Sequence, residues 1–166
     1  VTLRRRIAPV ALLALIGAAP PASDLTVAAT CTLGQAPTEA ALRLLPLAST
    51  EDDSEADERG TIFSFDPAGA TVWDAPVSKA QLFDYAIPRE REFTQRFEIG
   101  FGGDYAAARD ALFAAHAKTK CDREIGGAGA RSCEMILAPD SGWRRAVTVS
   151  ESGGGLMLAC AFAKDG

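Results

Sequence analysis

His116 is the only histidine in this 166-residue chain, so a Ser–His–Asp or Cys–His hydrolase would have to use that one imidazole. It follows Leu112 and Phe113 near the C-terminal end of a helical pattern. There the helix dipole favours a charged ring at the edge of an apolar face. No G-x-S-x-G elbow occurs to present an activated serine. Asp66, Asp74 and Asp84 fall near turns or strand ends, but their spacing forces no two of them together, as glycoside hydrolysis requires.

Trp143-Arg144-Arg145 sets an aromatic ring beside two cations at the start of a strand-like run. Such a trio can recognise an acidic ligand or a carbohydrate, or stack by cation–π contact. These three residues are the candidate binding patch. The glycine clusters carry less. Gly100, Gly102 and Gly103 precede a helix, but Asp104 at its start repels a phosphate. Gly126, Gly127 and Gly129 complete neither a dinucleotide fingerprint nor a P-loop. Asp53, Glu55 and Asp57 alternate as in a calcium loop, yet Glu58 stands where the turn needs glycine and Ser64 where a bidentate glutamate is needed. No metal and no cofactor is expected.

The four cysteines are Cys31, Cys121, Cys133 and Cys160, and none has CxxC spacing. With one histidine available, a zinc site would consume every thiol, so two disulfides are expected. Of three connectivities, Cys121–Cys133 with Cys31–Cys160 is favoured. The first pair closes a glycine-rich connection and the second ties the N-terminal region to the last strand. The alternative is Cys31–Cys121 with Cys133–Cys160.

The elements that must hold these residues begin with an export signal. Arg4, Arg5 and Arg6 form a positive region, Ile7 to Ala19 an apolar one, and Pro20-Pro21 a break. The apolar run is shorter than the roughly 20 residues a spanning helix needs. Residues 1–29 therefore read as a signal peptide cleaved somewhere in 19–29, and 30–166 as one exported domain with no stable membrane span. A cut after Ala29 satisfies the small-x-small rule, while Thr30 before Cys31 argues against a lipid anchor. The chain carries a net charge of −5, which argues against wrapping nucleic acid. Much of that charge lies in residues 49–60, where Glu51, Asp52, Asp53, Glu55, Asp57 and Glu58 leave little to bury, so a solvated loop is expected. The Arg89-Glu90-Arg91-Glu92 run cancels its own charge.

A hydrophobic fraction of 48% excludes wholesale disorder. LTVAATCTL reads as a short strand, and Thr38 as the cap of a short helix ended by Pro46. TIFSF and TVWDA flank the turn signal Asp66-Pro67-Ala68-Gly69 and read as a β-hairpin. SKAQLFDY fits either a strand or a short helix. Phe93, Gln95, Phe97, Ile99 and Phe101 alternate with Thr94, Arg96 and Glu98, giving a strand with a solvated outer face. Asp104 caps a helix with an apolar stripe of Tyr105, Ala108, Leu112 and Ala115. CEMILA, RRAVTVSE and GLMLACAFA form a meander, and the last strand, apolar on both faces, belongs at the sheet centre. The expected class is α+β: a mostly antiparallel, disulfide-stapled sheet with one main helix packed on it. The functional expectation is a monomeric, periplasmic or secreted, non-catalytic binding domain for a protein or small molecule. A small hydrolase and a structural envelope protein are the alternatives.

Overall fold

A computed structural model describes residues 23–53, 59–85, 93–127 and 130–164. The apolar run Ile7–Ala19, the alternating-charge run Arg89–Glu92, the acids Glu55, Asp57 and Glu58, and Gly129 lie outside the described residues.

The chain forms a mostly antiparallel sheet with a few helices and two disulfides. Helices α1 (Thr26–Ala29) and α2 (Gln35–Arg43) lead into strands β1 (Leu47–Asp53), β2 (Gly60–Phe65), β3 (Thr71–Val72), β4 (Ala75–Tyr85) and β5 (Gln95–Phe101). Helix α3 (Tyr105–His116) then precedes β6 (Arg123–Ile125), β7 (Ala130–Asp140), β8 (Trp143–Ser152) and β9 (Gly155–Lys164). Strand order is β1-β2-β4-β5-β9-β8-β7-β6, with β3 paired to β4. From β5 the chain passes through α3 to the far edge, then returns as a meander that places β9 beside β5. Among the described residues, no helix is long and apolar enough to cross a membrane.

Period-2 alternation divides the sheet into two faces. One row runs Leu82, Phe97, Cys160, Val147, Met135 across five strands, and the next runs Ala80, Ile99, Leu158, Val149, Cys133. All ten are buried, and the helices add Leu25, Ala29, Leu42, Tyr105, Ala108 and Leu112 to the same cluster. Phe97 and Phe162 meet edge to face at 5.6 Å. Both disulfides attach to this helix-covered face: Cys31–Cys160, 129 residues apart, and Cys121–Cys133, 12 apart.

Several expectations change. The sheet dominates, so "one main helix" describes the molecule only in part. Thr26–Ala29 is helical rather than extended, and Thr38 lies inside α2, its hydroxyl donating to the Gly34 carbonyl at 3.1 Å. Residues 49–53 of the expected loop belong instead to the edge strand β1, whose partner is β2. β2 pairs with β4 rather than with TVWDA. Thr71–Val72 instead folds back on Ala75–Pro76 through Trp73 and Asp74, both at positive φ (47° and 63°), the geometry of a two-residue hairpin turn. SKAQLFDY is strand. In α3 the Asp104 carboxylate accepts from Ala107 N at 2.9 Å as a cap should, but Ala115 is exposed and the buried stripe continues towards His116.

Candidate functional site

The other face of the sheet is not covered by the three helices. Its rows are Phe83, Arg96, Ala161, Ala146, Ile136 and Gln81, Glu98, Ala159, Thr148, Glu134, Arg123. On β9 and its neighbour β8 the side chains shrink to methyl groups, and Ala146, Ala159, Ala161 and Ala163 make a low floor. Taller residues flank it, with Phe93 and Arg96 towards β5 and Ile136, Glu134 and Arg123 towards β7 and β6. The result is a cleft of about 720 Å³, within the roughly 300–1,000 Å³ of small-molecule sites.

The wall on the β5 side is braced from behind. Tyr85 meets Phe93 edge to face at 5.9 Å, and the Arg96 guanidinium lies 5.4 Å over the Phe93 ring. Arg96 also pairs with Glu98 at 2.7 Å. Glu98 is only 7% exposed, so the outer face of β5 is not the solvated face its polar residues imply. A charge this far from water needs its partner, since removing one member of such a pair strands the other. The Arg96 Nε is buried and has no hydrogen-bond partner among the described residues. Opposite, Arg123 pairs with Glu134 at 3.4 Å.

The strand splits the Trp143-Arg144-Arg145 trio. Alternation along β8 puts Arg144 on the cleft face, whereas Trp143 and Arg145 share the covered face, where Trp143 packs against the core cluster. The Arg145 guanidinium is held by the Ala138 carbonyl at 3.1 and 2.9 Å and the Cys31 carbonyl at 3.2 Å. The charged side chains that line the cleft from its own face are therefore Arg96, Arg123, Arg144 and Glu134. Comparisons with protein-family models, curated proteins and solved structures give no match to this chain.

His116 belongs to the helical layer. Its Nε2 donates to the Thr30 carbonyl at 2.6 Å, joining α3 to the end of α1. Burial of the ring, aided by the positive charges of Arg145 and Lys118, lowers its pKa against the opposing pull of that hydrogen bond. The imidazole is neutral at pH 7, not the charged group that the helix dipole alone would favour. Asp66 caps its own turn, its Oδ1 accepting from Ala68 N at 3.0 Å, Asp74 sits at the β3–β4 hairpin tip and Asp84 near the end of β4. Among the described residues, no group of three or more His, Cys, Asp or Glu is placed to hold a metal ion.

Arg96, Arg123 and Phe93 were missed as candidates. The one legible signal was the run of alanines on the second face of β9. It reads as apolar burial, and only the register of β5, β7 and β8 makes it a floor with walls.

Proposed function

We propose that this chain is an exported, non-catalytic binding domain that holds a small molecule in the open-face cleft. The observation that carries the reading is the alanine floor between braced walls, a concavity of ligand size on the face the helices leave uncovered. Arg144 from the candidate patch remains in this site, joined by Arg96 and Arg123, while Arg145 turns to the Cys31 carbonyl on the covered face. The hydrolase alternative is weakened because His116 binds Thr30 in the helical layer, across the sheet from the cleft. Filling the floor tests the proposal. Ala161→Trp is expected to abolish the fluorescence enhancement that the neutral apolar probe N-phenyl-1-naphthylamine shows with the wild-type protein, without changing the far-UV circular dichroism. Equal enhancement in both proteins would place the probe elsewhere and remove the reading.

Export rests on the Arg4–Arg6 and Ile7–Ala19 pattern, supported by two disulfides. The fold bears on where the leader is cut. Leu25, Ala28 and Ala29 are buried, Leu25 N donates to the Thr71 carbonyl at 2.8 Å, and Trp73 N donates to Thr26 Oγ1 at 2.8 Å. A cut after Ala29 would strip these groups from the core, despite its favourable small-x-small residues. N-terminal sequencing of the exported protein is expected to read a first residue between Pro20 and Ser23. A start at Thr30 would overturn this assignment.

A further inference from the structure

We propose that His116 is an acid-sensitive latch: its neutral ring ties the end of α3 to the end of α1, and its protonation opens that seam. The contact joins distant parts of the chain. Nε2 donates to the Thr30 carbonyl at 2.6 Å, 86 residues away, and the Arg145 guanidinium donates to the next carbonyl, that of Cys31, at 3.2 Å. Two consecutive carbonyls beyond α1 are thus held by a ring from α3 and a cation from β8. Cys31 stands there at a φ of 58° and is bridged to Cys160, so this end of α1 stays on β9 in either state of the ring. The movable partner is the C-terminal end of α3, which stops at His116 with Ala117 in the left-handed region at a φ of 50°.

The surroundings accept the neutral ring and resist the charged one. The charges that act on it are both positive, Arg145 from β8 and Lys118 two residues further along the chain. Asp122, which follows α3, is already taken by Lys118 Nζ at 2.5 Å and by Ile136 N at 2.7 Å. Neither α1 nor β9 carries an acidic residue. Burial comes first in lowering the pKa of the ring, the Thr30 carbonyl pulls it up, and the two cations push it down again. The hydrogen bond itself survives protonation, because Nε2 carries its proton in both forms. What changes is that a third cation appears, partly shielded from water, beside Arg145 and Lys118. An imidazole that is harder to protonate when closed than when open binds fewer protons in the closed state. Closure is therefore undisturbed above the ordinary histidine pKa of about 6.5 and weakens as the pH falls below it.

His116 is the only histidine, so proton NMR of the full-length processed protein reads a single imidazole titration. Its midpoint is expected below about 6.5. Amide hydrogen exchange, corrected for the intrinsic effect of pH, reads the structural consequence. The reporters are the amides of Thr30, Cys31 and Lys118, which bond to the carbonyls of Thr26, Ala28 and Phe113. Between about pH 7.5 and about pH 5 their protection is expected to fall at least fivefold, while amides of the central strands β5 and β9 keep theirs. His116→Gln, which can still donate to Thr30 but takes up no proton, is expected to show no such fall. A midpoint at or above about 6.5, an equal fall in His116→Gln, or a fall shared by β5 and β9 overturns the latch. Should His116→Gln not fold, the wild-type midpoint and the confinement of the fall to the three reporter amides decide.

Discussion

Replacing both members of the long-range bridge, as in Cys31→Ala/Cys160→Ala, is expected to lower the unfolding free energy by about 5 kcal/mol, against about 3 kcal/mol for Cys121→Ala/Cys133→Ala. The difference follows from how much of the unfolded chain each bridge restrains. Cys31 and Cys160 are 129 residues apart and Cys121 and Cys133 only 12, and the loop-closure entropy removed from the unfolded state grows with the logarithm of that length. The two bridges also fasten different things. The long one pins the end of α1 to the central strand β9, where Thr30 and Cys31 also receive His116 and Arg145. The short one closes the connection between α3 and β7, where Lys118 already pairs with Asp122 at 2.5 Å and Ile136 N donates to the same carboxylate at 2.7 Å. Denaturant titrations of the two double variants check the order. Equal losses would mean that packing and hydrogen bonds hold α1 without help from the bridge.

The features legible in the sequence were those whose pattern is set by one covered face. β5 alternates because Phe97, Ile99 and Phe101 enter the core, and α3 shows its cap and stripe because Asp104, Tyr105, Ala108 and Leu112 meet local rules and burial together. β1 left no such trace. It is an edge strand with exposed residues from Leu47 to Asp52, so acids and serines serve as well as any other residues and the segment looks like loop. α1 was hidden for the opposite reason. Thr26 and Val27 have strand-like propensity, overridden by the burial of Leu25, Ala28 and Ala29 against the sheet and the anchoring of Cys31. The hairpin at Trp73–Asp74 escaped notice because it uses positive φ without glycine or asparagine. The cleft lies beyond pattern reading altogether. Its floor comes from β8 and β9, its walls from β5, β6 and β7, and the antiparallel register alone brings them together.

Gly60→Ala is expected to cost about 3 kcal/mol and to weaken probe binding in the cleft, although Gly60 does not line it. The reason is space. Gly60 pairs with Tyr85 across β2 and β4, and a Cβ there would lie 2.3 Å from Tyr85 Cδ1 and 2.4 Å from Cε1. The ring rests on the bare backbone, so glycine at this place is a packing requirement rather than a conformational one. Tyr85 is 1% exposed and its hydroxyl donates to Asp53 Oδ2 at 2.7 Å. The added methyl displaces the ring and puts that hydrogen bond at risk. The same ring braces Phe93, and Phe93 carries the Arg96 guanidinium on its face, so the disturbance passes from β2 to the wall of the cleft. Gly126→Ala is the control, since no atom lies within 4 Å of its added Cβ, and its cost is expected to stay within about 0.5 kcal/mol. In the double variant Gly60→Ala/Tyr85→Leu the smaller side chain relieves the clash, and the two losses are expected to sum to more than the loss of the pair by over 1 kcal/mol in a double-mutant cycle. Additive losses would show that Gly60 and Tyr85 act separately and that the brace behind Phe93 does not run through their contact.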